Sequence, residues 1–158
     1  MIPKSFFMLF FALASLGLVS CATSHKDAEI SKVNYFKLDS SKRKSSAEQS
    51  ITFEQRYYLY GAVTTEDIAA REGVYYRVHW SVKDTSSPVI LVLHYRQSET
   101  GAVEHTKEIT PDRIQSSNTT EFSVIGDEFK KNGHVTAWKV SLMRGKEEIA
   151  SHRSYLWE

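Results

Sequence analysis

The residues of this 158-residue chain that could do chemistry are six histidines, one cysteine and a surplus of tyrosine. The histidines are His25, His79, His94, His105, His134 and His152, and no two form an H-x-H or H-x-x-x-H pair. Zinc sites favour such local pairs, or cysteines, because two ligands from one element fix part of the tetrahedron before the chain folds. Histidines spread singly along strands ordinarily hydrogen-bond to neighbours or to water. A serine nucleophile would need a sharp strand-turn-helix such as G-x-S-x-G, which is absent. The seven glycines are scattered singly, so no loop can cradle a phosphate. Asp127-Glu128 and Glu147-Glu148 fall in expected loops, and "GDEFKKNG" lacks the alternating Asp/Asn of a calcium loop. The expectation is no enzyme, no cofactor and no metal. A small-ligand or metal site built from strand-surface histidines is the second reading.

Tyrosine offers recognition chemistry. Tyr57, Tyr58 and Tyr60 follow Arg56, and Tyr75 precedes Arg77 and His79 at alternate positions. Tyr and Arg are enriched at binding hot spots because they bring large contact area and directed hydrogen bonds together. Aromatics are also favoured on any strand, so half of them belong to the core. Tyr58, Tyr60, Tyr75, Arg77 and His79 are the candidate partner-binding residues, for an envelope protein or a glycan.

The cysteine, Cys21, sits where no disulfide partner exists. Ahead of it, Met1–Lys4 carries one positive charge and Ser5–Val19 ("SFFMLFFALASLGLV") carries none. A positive start, a short apolar run and a small-residue exit describe a secretory signal peptide. The run is shorter than the roughly 20 residues of a comfortable membrane span. Leu18-Val19-Ser20-Cys21 resembles the lipobox of bacterial lipoproteins. The resemblance covers the first 21 residues and implies cleavage before Cys21, a diacylglycerol thioether on its sulfur and an acylated new N-terminus. Two or three acyl chains hold a protein on a membrane stably, where one does so only marginally. Ala22, in place of Asp, resembles a sorting signal for the outer membrane, facing the periplasm. An ordinary cleaved signal and an uncut anchor are the alternatives.

Removing residues 1–20 takes away Lys4 and leaves 19 basic against 19 acidic residues. That balance argues against nucleic acid as a partner. Residues 21–50 are polar, with "SSKRKSSAEQS" reading as a flexible tether. Lys42-Arg43-Lys44 is either solvated or weakly drawn to anionic surfaces. "VNYFKL" could pair as an added edge strand.

The elements that must position these side chains lie in residues 51–158, one domain's worth of chain. Period-two alternation bounded by turn residues dominates. "GVYYRVHWSV" sets Tyr76, Val78, Trp80 and Val82 on one face; "PVILVLHYRQ" is apolar on both faces, as in a central strand. "HVTAWKVSLM" and "EEIASHRSYLW" form a hairpin across Arg144-Gly145-Lys146. "TFEQRYYLYGAV" is expected as the first strand, with weaker strands at 102–109 and 119–125. "TTEDIAAREG" has a Thr cap, early acids and a Gly stop, the marks of a short helix. About seven strands without a long helix predict an all-β antiparallel sandwich, immunoglobulin-like or fibronectin-III-like, with Trp80 and Trp138 in its core.

Overall fold

The computed structural model describes residues 27–39 and 49–158. The signal-like segment, Cys21, His25 and Lys42-Arg43-Lys44 lie outside the described residues.

Seven strands form two antiparallel sheets. They are β1 (Ala28–Leu38), β2 (Gly73–Val82), β3 (Ile90–Gln97), β4 (Glu104–Ile109), β5 (Ser117–Ile125), β6 (Val135–Arg144) and β7 (Glu147–Arg153). One sheet runs β1-β2-β5 and the other β4-β3-β6-β7. Tyr76 lies opposite Tyr35 and Phe122, Leu91 opposite Leu142 and Leu93 opposite Val140, so apolar residues meet across these ladders.

The core is the layer between the sheets. Val74, Tyr76, Val78, Trp80 and Val82 from β2 meet Leu91, Leu93 and Tyr95 from β3 and Val140 and Leu142 from β6. Each fully buried aliphatic or aromatic side chain contributes roughly 1.5–3 kcal/mol of transfer free energy. Trp80 is inside as expected, its indole N–H donating to Thr120 Oγ1 at 3.0 Å. Trp138 is only partly buried and packs at the rim, edge-on to Tyr76 and stacked on His152.

The first strand is not the expected one. "TFEQRYYLYGAV" is largely helix: α1 spans Gln49–Leu59 and ends before Gly61, whose φ is +80°. Its aromatics mimic alternation locally, but Glu54 and Tyr58 are one helical turn apart and both meet Arg77. The slot beside β2 is taken by β1, which lies inside the stretch expected to be tether and contains the "VNYFKL" segment read as a possible added edge strand. Ala28, Ile30 and Leu38 bury themselves, while Glu29, Lys32 and Lys37 stay in water. Charged residues are usual on an edge strand, and they gave this one the composition of a linker.

The short helix is present as α2 (Thr65–Arg71). Thr64 Oγ1 accepts from the Asp67 N–H at 3.0 Å while the Asp67 carboxylate accepts from the Thr64 N–H at 3.1 Å, a reciprocal capping box. A third helix, α3 (Gly126–Asn132), replaces the loop expected at "GDEFKKNG". Its Glu128 accepts from Tyr95 and, at 2.7 Å, from Lys107, whose ammonium also donates to Ser123 O at 2.7 Å. Among the described residues no helix is long and apolar enough to cross a membrane.

Candidate functional site

The outer face of the β1-β2-β5 sheet carries the chemistry singled out in the sequence, and α1 lies across part of it. β2 alternation turns Tyr75, Arg77 and His79 to this face, away from the core side chains of Tyr76, Val78 and Trp80. α1 then adds Glu54 and Tyr58 from above. The Tyr58 ring stacks on Tyr75 at a centroid distance of 3.7 Å and on Phe36 at 5.5 Å. With Leu38 these rings make a second, smaller apolar cluster.

A polar network caps that cluster. Tyr58 Oη donates to Glu121 Oε2 at 2.8 Å. Arg77 reaches Glu54 at 3.3 Å, Glu121 at 3.4 Å and Tyr58 Oη at 3.3 Å, with its guanidinium 5.7 Å from the Tyr57 ring. Tyr75 Oη donates to Arg71 O at 2.8 Å. Arg71 in turn donates to the carbonyls of Tyr58 and Tyr60 at 3.1 and 2.5 Å, closing the C-terminal end of α1. Burial, and then the hydrogen bond to Glu121, push the Tyr58 phenol far above its ordinary range. Burial raises Tyr75 as well. Both stay neutral donors across physiological pH.

His79 stands beyond the helix, on the same face. Asn34 Nδ2 donates to its Nε2 at 3.2 Å, so Nδ1 carries the ring proton and donates to Thr119 Oγ1 at 3.1 Å. The ring is held between β1 and β5 by neutral partners.

The five candidates therefore divide. Tyr58, Tyr75 and Arg77 are brought together, but as the internal bond that fastens α1 to the sheet. His79 is in a separate polar trio. Tyr60 stands in solvent just past the end of α1. Beside it lies a cleft of about 780 Å³ between α1, α2 and the end of β1, walled by Leu38, Thr52, Gln55, Leu59 and Ile68. The sequence reading missed Glu54, Arg71 and Glu121. The signal for Glu54 was its i, i+4 spacing to Tyr58, visible only once 49–59 is read as a helix.

Three other histidines are also engaged. His94 Nδ1 meets Glu104 Oε1 at 2.7 Å, His105 Nε2 meets Thr100 Oγ1 at 3.2 Å, and His152 stacks on Trp138. Among the described residues no three His, Cys, Asp or Glu side chains converge as a ligand set. No protein family, curated protein or solved structure matches this chain.

Proposed function

We propose that this chain is a bacterial lipoprotein, held on a cell-envelope membrane through lipid on Cys21, whose sandwich binds or spaces another envelope component without catalysing a reaction. The observation that carries the reading is the place of the lone cysteine, at the end of the apolar run with six residues between it and β1. A thiol with no disulfide partner is accounted for by acylation, and a lipid at that position holds the whole domain within a few tens of ångströms of the bilayer. A binding role is favoured over chemistry by the state of the reactive side chains. Arg77, His79, His94 and Glu128 are each held by neighbouring residues.

We assign the sandwich to the fibronectin-III-like type. In constant-type immunoglobulin sandwiches the fourth strand joins the first sheet, whereas here it pairs with β3 in the second.

Two experiments test the reading. Cys21→Ser is expected to abolish labelling with a palmitate analogue and to release the protein from the membrane fraction. Unchanged labelling and fractionation would contradict it. For the binding role, a photo-reactive residue replacing Gln55 in the cleft wall is expected to form one reproducible adduct with an envelope protein or glycan in intact cells. Absence of any adduct across growth conditions would count against that role.

A further inference from the structure

Large apolar side chains left in water gather on one face of α1. Phe53, Tyr57 and Tyr60 are 64, 56 and 86% exposed. With exposed Arg56 they stand at i, i+3, i+4 and i+7, a single helical stripe that ends just past the last turn. The opposite face of α1 is the one that Tyr58 and Glu54 fasten to β2 and β5. Phe53, Arg56 and Tyr60 therefore point away from the sandwich, while Tyr57 stands at the edge of the stripe, mostly exposed but with its ring 5.7 Å from the Arg77 guanidinium.

We infer that this stripe is a lipid-surface contact that lays the sandwich on its side, with the β1-β2-β5 sheet turned toward the bilayer that holds its N-terminus. The inference rests on the membrane anchorage proposed above, and three observations lead to it. First, six residues separate Cys21 from β1, a reach of at most about 25 Å. α1 lies over the sheet of which β1 is an edge, and its diameter is about 10–12 Å. The tether is long enough to let the helix sit between sheet and lipid. Second, the side chains suit the headgroup region, where Phe inserts, Tyr keeps its hydroxyl in water and Arg meets phosphate. Third, Lys42-Arg43-Lys44 stands just ahead of α1 in sequence and adds cations on the approach to this helix, matching an anionic leaflet.

The test uses the mature-length chain, residues 21–158 carrying Cys21→Ser, so that no lipid assists binding. It is co-sedimented with vesicles of phosphatidylcholine alone and of phosphatidylcholine with one-third phosphatidylglycerol. Binding to the anionic vesicles is expected, weakened about tenfold or more by Phe53→Ser/Tyr57→Ser/Tyr60→Ser. Arg56→Glu is expected to weaken it about threefold and to reduce its salt dependence. Tyr155→Ser/Leu156→Ser removes side chains that are 99 and 65% exposed elsewhere and is expected to change nothing. All the substituted side chains are exposed, and an unchanged circular-dichroism melt confirms that each variant is folded. A wild-type chain that ignores both vesicles overturns the inference and assigns the stripe to a protein partner. A triple variant that binds as the wild type does also overturns it. Because this chain bears no lipid, loss of Cys21 acylation in cells would sink the anchor without altering the vesicle result.

Discussion

At Arg77 two carboxylates, a phenol and an aromatic face meet one guanidinium. Replacing it with Met keeps the length and removes the charge, leaving Glu54 and Glu121 close together under α1. Arg77→Met is expected to destabilise by about 2 kcal/mol in urea unfolding. That is below the cost of breaking a fully buried pair, because the Arg77 and Glu54 side chains keep 29 and 27% of their exposure. Tyr76 makes the opposite case. Its ring is fully buried, and its hydroxyl has no hydrogen-bond partner among the described residues. Tyr76→Phe is expected to leave stability unchanged or raise it by up to about 1 kcal/mol, since an unpaired buried hydroxyl contributes only a desolvation cost. Glu148 sets a pH dependence. Burial pulls its pKa up, but hydrogen bonds from Lys139 at 2.7 Å and Ser141 at 2.8 Å outweigh it, and the carboxyl is held below its ordinary value near 4.5. A depressed folded value means that this contribution is complete above about pH 4.5 and lost as pH falls through the lowered value. Melting temperatures between pH 7 and pH 3 should therefore fall less steeply in Glu148→Gln than in the wild type. At neutral pH the variant should lose under about 1 kcal/mol, because solvent screens the pair. At this scale the sequence was half legible. Alternation told which β2 side chains leave the core, but not that Tyr58, from a helix, would meet Tyr75 and Arg77 on the outer face of the sheet.

The elements explain that difference. β2 was readable because one buried face imposes a period of two, β3 as a run apolar on both faces, and β6 and β7 as a hairpin across Arg144-Gly145-Lys146. β1 was obscured because it is an edge strand with Glu29, Lys32 and Lys37 in water. α1 was mistaken for a strand because Tyr57, Tyr58 and Tyr60 satisfy two periods over so short a window. Gly73 joins two of these elements. It begins β2 straight after α2, with φ +144°, and a Cβ there would lie 2.2 Å from Val124 O on β5. Gly73→Ala is expected to cost about 3 kcal/mol or more, read as a lower urea midpoint. Gly145→Ala, in the β6–β7 turn with open space around it, should cost about 1 kcal/mol for its positive φ alone.

On the scale of the whole molecule, the sandwich class was legible because seven short segments bounded by turn residues leave few other ways to bury one face each. Where the domain starts was not legible, and that boundary matters most for function. With β1 in the sheet, the spacer between Cys21 and the fold shrinks from the expected 29 residues to six. Under the proposed anchorage, a long tether would let the sandwich roam, whereas a short one would keep it beside the bilayer and give α1 and its exposed aromatics a surface to meet. The central claim is that Cys21 is the attachment point, and the intact mass of the protein purified from membranes tests it most directly. The account predicts a chain that begins at Cys21 and carries a diacylglycerol thioether with an acylated amine. A mass that retains residues 1–20, or one with an unmodified cysteine, would contradict it.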